Sequence, residues 1–236
     1  MGVMNLKIGV LCLHGFTGGA YEIKSFCDYL EHHTEWIIHV PTLSGHGEKL
    51  NLDLFTAEHW LMDAEIAYKH LYKEVDEIFI VGFSMGGIIA MYLALRYKVK
   101  ALVLLSPAAR YIRTKQFVID LNGLFIDALQ GEYKENEFFK RYERKLIDVP
   151  VASAKEFTRL VHKVSPYYEK ITVPMCLVQG EKDELVPYTT AAYLYNKVAS
   201  TKKELITSPE GKHLICYCED AEKWFKKTLD FLNSCK

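Results

Sequence analysis

Apolar positions along the 236-residue chain switch period repeatedly. Short runs in which nearly every residue is apolar alternate with longer stretches carrying apolar residues every third or fourth position. The first pattern suits strands buried on both faces, and the second suits helices with one covered side. Lys7–Leu13 reads as a strand ended by His14-Gly15, and Tyr21–Glu31 as a helix with Ile23, Phe26 and Leu30 on one side. Trp36–Val40 is a second strand, stopped by Pro41 and Gly45. Thr56 caps a helix predicted to reach Tyr72, with Trp60, Ala64, Ala67 and Leu71 on its covered face. The alternation continues with strand Glu77–Phe83, helix Met85–Tyr97 and strand Ala101–Leu105. It resumes with strand Met175–Val178, a helix from Pro187 to Val198, strand Lys203–Ile206 and an amphipathic helix Glu219–Leu232.

Strands and helices in alternation, with short connections, predict an α/β domain whose mainly parallel sheet is flanked by helices on both faces. One segment breaks the rhythm. From Arg110 to Pro166 no strand pattern occurs, and Phe117, Leu121, Leu124, Phe125 and Ala128 recur at helical spacing. Phe138, Phe139 and Tyr142 suggest a middle helix, and Phe157, Leu160, Val161 and Val164 a third. Residues 110–166 therefore read as a helical insertion between sheet strands, dividing a core made of residues 1–109 and 167–236.

Composition removes several function classes. The net charge is −1 and no long basic run occurs, which argues against a nucleic-acid partner. Ile78–Leu95 is uncharged and long enough for a marginal membrane span, but Gly82, Gly86 and Gly87 interrupt it. A buried strand, a tight turn and a buried helix account for it better, so no stable membrane insertion is expected. Met1–Lys7 lacks an apolar signal core, and Leu6 stands where myristoylation after Gly2 needs Ser or Thr. Of the six cysteines, Cys12 and Cys176 lie in apolar runs and read as small hydrophobes, so the expected location is the reducing cytoplasm. His213, Cys216 and Cys218 lack a second ligand cluster, so no metal is expected.

The candidate chemistry centres on Gly82-Phe83-Ser84-Met85-Gly86, a G-x-S-x-G match placed between a strand and a helix. Such a tight turn lifts the serine side chain above the sheet edge, and side chains at either glycine position would clash. A serine hydroxyl needs a base, and the base needs an orienting carboxylate. The expected chain order is serine, acid, histidine. Asp183, just past the strand Met175–Val178, and His213, past Lys203–Ile206, supply it. Glu181 and Glu184 are rival acids that read as solvated loop charges. Of nine histidines, His213 alone lies downstream of Asp183. His32, His33, His59, His70 and His162 fall on helices or their ends, and His39 in a strand. The loop His14–Gly19 offers one backbone amide for an oxyanion, nominally that of Phe16, and Met85 offers the other. The phosphate-binding patterns G-x-x-x-x-G-K-[ST] and G-x-G-x-x-G are both absent.

These residues together resemble a known family. His14-Gly15-Phe16-Thr17-Gly18, Ser44-Gly45-His46-Gly47, Gly82–Gly87, Gly180-x-x-Asp183-x-x-Val186-Pro187 and Gly211-x-His213 look like the small bacterial carboxylesterases and monoacylglycerol lipases of the α/β-hydrolase fold. The resemblance spans about Val10 to Phe231 and implies a serine esterase that needs no cofactor. It implies a triad of Ser84, Asp183 and His213, and oxyanion amides at Phe16 and Met85. It also implies a helical cap over an acyl pocket, for which Phe117, Leu121, Leu124 and Phe125 are candidate lining residues. His46 reads as a structural loop contact. Many relatives carry Leu at the positions of Phe83 and Met85, a change of pocket shape rather than of chemistry. The expected partner is a small-molecule ester, a medium-chain acyl ester or a monoglyceride, handled by a monomer or homodimer. A thioesterase, a cinnamoyl esterase, a carbon–carbon hydrolase or a non-catalytic ligand-binding protein on the same fold remain open.

Overall fold

The computed structural model describes residues 6–110 and 151–236. The strands are β1 (Ile8–Leu13), β2 (Ile37–His39), β3 (Glu77–Phe83), β4 (Ala101–Leu105), β5 (Met175–Gly180) and β6 (Lys203–Ser208). The described helices are α1 (Lys24–His33), α2 (Ala57–Leu71), α3 (Met85–Arg96), α4 (Val151–Val164), α5 (Tyr188–Lys197) and α6 (Ala221–Asn233). The strand order is β2-β1-β3-β4-β5-β6, and every pair is parallel.

Side-chain alternation along each strand builds two cores. Leu11, Leu13, Ile78, Ile80, Leu102, Leu104, Met175 and Leu177 point to one face, under α2, α3 and α4. Val10, Cys12, Phe79, Val81, Val103, Leu105, Cys176 and Val178 point to the other, under α1 and α6. Burial on both faces explains why β1, β3 and β4 read as unbroken apolar runs. The uncharged stretch Ile78–Leu95 is strand, turn and helix, all inside the domain. Among the described residues no helix is long and apolar enough to cross a membrane.

Two elements differ in detail from the sequence pattern. The helix expected from Tyr21 begins as a 3-10 turn at Ala20–Ile23 and turns α-helical only at Lys24. Glu22 lies in that first turn and its side chain is buried. The α4 helix follows the spacing expected of Phe157, Leu160, Val161 and Val164, and all four pack into the core shared with α2 and α3. An ion-pair network of Glu58, Glu156, Arg159 and Lys163 ties α4 to α2, and Glu156 accepts the N–H of Ala57 at the start of α2. The expected helices around Phe117, Leu121, Leu124 and Phe125, and around Phe138, Phe139 and Tyr142, lie outside the described residues.

Candidate active site

Each candidate residue stands just past the carboxyl end of a neighbouring strand. Ser84 follows β3, Asp183 follows β5 and His213 follows β6. This edge collects sites because the strand-to-helix turns meet there.

Ser84 occupies a turn that few residues accept. Its φ of 52° and ψ of −114° lie in a sparsely populated region, which costs roughly 1–3 kcal/mol. A Cβ on Gly82 would stand 2.3 Å from the carbonyl oxygen of Gly86, and one on Gly86 would stand 2.1 Å from that of Leu13. Both glycines are thus sterically required. The second contact also draws the start of α3 against the end of β1, so Met85 and the loop carrying Phe16 lie side by side. The N–H of Ser84 donates to Leu105 at 2.9 Å, and the N–H of Gly87 donates back to Ser84 at 3.0 Å. Ser84 therefore sits at the positive end of the α3 dipole, where a developing negative charge is favoured.

The structure brings Ser84, His213 and Asp183 together. His213 Nε2 lies 3.0 Å from Ser84 Oγ, and His213 Nδ1 lies 3.0 Å from Asp183 Oδ2. All three are at least nine-tenths buried. An ionised carboxylate only accepts, so Nδ1 carries the imidazole proton and Nε2 is left to accept the serine O–H. Asp183 Oδ1 accepts the N–H groups of Leu185 at 3.0 Å and Val186 at 2.8 Å. The rival acids Glu181 and Glu184 are exposed, as are His32, His33, His39, His70 and His162. His59 spends its Nδ1 on the N–H of Thr56 at the start of α2.

Acid and base loops are fastened to each other. The N–H of Lys182 donates to Gly211, and that of Glu181 to Ser208. A Cβ on Gly180 would stand 2.1 Å from the carbonyl oxygen of Gly211, so the two backbones meet where neither has a side chain.

The loop after β1 carries Phe16, which is buried and makes ring contacts with His46, Trp60 and Phe157. Thr17 has a φ of 66°, a rare value for a β-branched residue and a mark of a held conformation. The buried Glu22 carboxylate accepts the N–H of Gly15 at 2.8 Å. A Cβ on Gly18 would collide with that same carboxylate, so the loop wraps directly around it. On the other side His14 donates from Nδ1 to the Gly15 carbonyl at 2.9 Å and accepts the N–H of Leu43 at Nε2, 3.1 Å away. Burial pushes the pKa of His14 down to about 4. His46 donates from Nδ1 to the Ser44 carbonyl at 3.0 Å, with its ring tilted against His14 and edge-on to Trp60. Burial first, then the neighbouring His14, pushes its pKa down to about 3.

Three contributors were not singled out by sequence reasoning: Gln179, Glu22 and Asp63. Asp63 accepts the N–H of Ser44 at 2.6 Å, and Trp60 Nε1 donates to the Ser44 carbonyl at 3.1 Å, fixing the loop that bears His46. Gln179 alone left a signal, a polar residue at the end of an apolar strand. The candidate lining residues Phe117, Leu121, Leu124 and Phe125 lie outside the described residues. Among the described residues no group of three or more His, Cys, Asp or Glu side chains converges as a metal site.

Known proteins share this framework. A thermostable monoacylglycerol lipase of Bacillus sp. (strain H-257) is 23% identical over 96% of this chain and 91% of its own length. A carboxylesterase of Bacillus subtilis (strain 168) is 24% identical over 94% of this chain and 91% of its own. The solved structure of a monoacylglycerol lipase from Paleococcus ferrophilus superposes with a TM-score of 0.75 at 17% identity, covering 97% of this chain and 95% of that one. At that identity the superposition speaks for the fold alone. The family described as Serine aminopeptidase, S33, matches residues 5–220, and with nine-tenths of its length accounted for the chain belongs to that family of α/β-hydrolase enzymes.

Proposed function

We propose that the chain is a serine carboxylesterase that cleaves short- to medium-chain esters or monoacylglycerols through Ser84, His213 and Asp183. The observation that carries this reading is the continuous relay from Asp183 Oδ2 through His213 to Ser84 Oγ, with both links at 3.0 Å. Relatives bearing the names monoacylglycerol lipase and carboxylesterase support an ester rather than an amide substrate.

In the proposed cycle, Ser84 Oγ attacks the ester carbonyl carbon while His213 Nε2 takes the hydroxyl proton. Asp183 holds the Nδ1–H and compensates the imidazolium charge. The backbone N–H groups of Phe16 and Met85 receive the oxyanion, each worth roughly 3–4 kcal/mol of transition-state stabilisation. The tetrahedral intermediate collapses, His213 returns the proton to the departing alcohol, and an acyl-serine ester remains. Water, deprotonated by His213, attacks that ester, and Ser84 regains its proton as the acid leaves. The six unpaired thiols support a reducing compartment, the cytoplasm.

The test is hydrolysis of p-nitrophenyl esters from acetate to palmitate and of 1-monoacylglycerols, set against aminoacyl naphthylamides. Wild type is expected to turn over the esters, with a preference at short to medium chain length, and Ser84→Ala to be inert. Faster cleavage of the amides, or ester turnover surviving in Ser84→Ala, overturns the reading.

A further inference from the structure

Strand β5 reads Met-Cys-Leu-Val-Gln-Gly, and Gln179 is its one polar side chain. The residue is fully buried. Burying a long amide costs desolvation and rotamer freedom that an apolar residue would avoid. Its placement calls for a compensating role.

The hydrogen bonds specify that role. Gln179 Nε2 donates to Asp183 Oδ2 at 2.9 Å and to the Val186 carbonyl at 2.8 Å, with the Gly180 carbonyl 3.5 Å away. The amide has one allowed orientation here, because flipping it would set its oxygen against three other oxygens. The opposite end is sacrificed to this arrangement. Gln179 Oε1 is buried without a hydrogen-bond partner among the described residues.

Asp183 Oδ2 is also the atom that faces His213 Nδ1. Val186, whose carbonyl takes the second amide proton of Gln179, donates its own N–H to Asp183 Oδ1. Carboxylate, Val186 backbone and Gln179 amide therefore close a ring. The Leu185 and Val186 N–H groups hold one oxygen, and Gln179 holds the other against swivelling about the terminal torsion, which is otherwise broad.

We infer that Gln179 is a positioning residue of the triad, which fixes the rotation of the Asp183 carboxylate and shares its negative charge at the oxygen facing His213. The inference rests on the serine-hydrolase reading of Ser84, His213 and Asp183. Gln179 touches no reacting atom and acts through Asp183. Without its amide, Oδ2 keeps only His213 as a donor among the described residues, the carboxylate is held firmly at Oδ1 alone, and the imidazole is less tightly directed toward Ser84. Substrate contacts are untouched, so the loss falls on the chemical step.

The test compares Gln179→Met, which keeps length and removes the donor, with Gln179→Glu, which keeps shape and replaces the amide by a carboxyl. Folding is checked by circular dichroism and thermal melting, and should Gln179→Met fail to fold, Gln179→Glu carries the same readout. Each variant is expected to lose about tenfold or more in kcat, the equivalent of one charge-assisted hydrogen bond, with KM for a p-nitrophenyl ester near the wild-type value. The low-field proton resonance of His213 Nδ1–H is expected to move in both. A kcat within twofold of wild type together with an unmoved resonance, whatever the melting temperature does, overturns the inference. Ser84→Ala is assayed in parallel. If it stays active, the triad reading has failed; if it is inert while the Gln179 variants are normal, only the role of Gln179 has failed.

Discussion

His213 and His14 are both buried, both sit past the carboxyl end of a strand, and both have both ring nitrogens engaged. They differ in what engages them. His14 lies between a backbone carbonyl and a backbone N–H, with no carboxylate bonded to either ring nitrogen among the described residues, and burial drives its pKa down to about 4. His213 lies between a carboxylate and a hydroxyl. The first arrangement makes a neutral strut that braces the loop bearing Phe16. The second fits the base of the proposed mechanism, with a carboxylate beside Nδ1. His46 is like His14 in donating Nδ1 to a backbone carbonyl and in its lowered pKa, and its ring packs against Phe16. Equal burial of the same side chain thus goes with different partners at Nδ1, a backbone carbonyl for His14 and a carboxylate for His213.

The most severe way to break the contrast is to make the partner of His213 neutral. Asp183→Asn gives its Nδ1 an amide in place of a charge, and kcat for ester hydrolysis is expected to fall about 10⁴-fold while the circular dichroism spectrum is retained. A loss under tenfold would mean that the carboxylate charge is not what separates the two histidines. Next in size is the support of the other loop. Glu22→Ala removes the acceptor for Gly15 and is expected to lower kcat by about 10- to 100-fold, less than losing an oxyanion donor outright. Glu22→Gln keeps an acceptor oxygen and should recover most of the loss in the same assay.

A third prediction sharpens the contrast through pH. As pH falls below about 6.5 the unfolded chain protonates His14 and His46, while the folded chain refuses those protons until about 4 and about 3. The unfolded state binds more protons in that window, so stability drops as pH falls, by up to about 1.4 kcal/mol per pH unit for each ring. Above pH 6.5 both states are neutral there and the two rings contribute no slope. Urea melts between pH 6.5 and 5 should show the loss, and His46→Phe should reduce its steepness. An unchanged slope in that variant would remove His46 from the account.

The smallest effect belongs to charges that water already screens. Arg159 pairs with Glu58 and Glu156 where both Arg159 and Glu58 are about half exposed. Burial pushes the Glu58 carboxyl up, but hydrogen bonds and charge from Arg159 and Lys163 together outweigh it and hold the pKa at about 2. Arg159→Ala is nonetheless expected to change the unfolding free energy by less than about 1 kcal/mol in a urea melt. A larger loss would show that the α2–α4 clasp is stiffer than its exposure implies.

Local patterns carried much of this molecule. The short apolar runs of β1, β3, β4 and β5 and the strand-end positions of Ser84, Asp183 and His213 were readable because each depends on a few consecutive residues. Gly82 and Gly86 were readable for the same reason, since the turn that needs them is five residues long. Glu22 was not, because its carboxylate serves Gly15 only after a 3-10 turn, rather than an α-helix, begins at Ala20. His14 and His46 gave no sign in the sequence that they would be neutral struts, since their charge state follows from complete burial and from backbone partners such as Leu43, 29 positions away.

By itself, the sequence determined which residues are candidates for the chemistry and at which edge of the sheet they emerge, because apolar runs and turn sterics act over short stretches of chain. Only the tertiary structure decided how they face one another. Gly180 meets Gly211, Gln179 turns the Asp183 carboxylate, and Phe16 is wedged between His46, Trp60 and Phe157. Those relations join residues from different elements at distances of a few ångströms. Hydrogen bonding and close packing lose their strength when such distances open, and no local window of sequence specifies them.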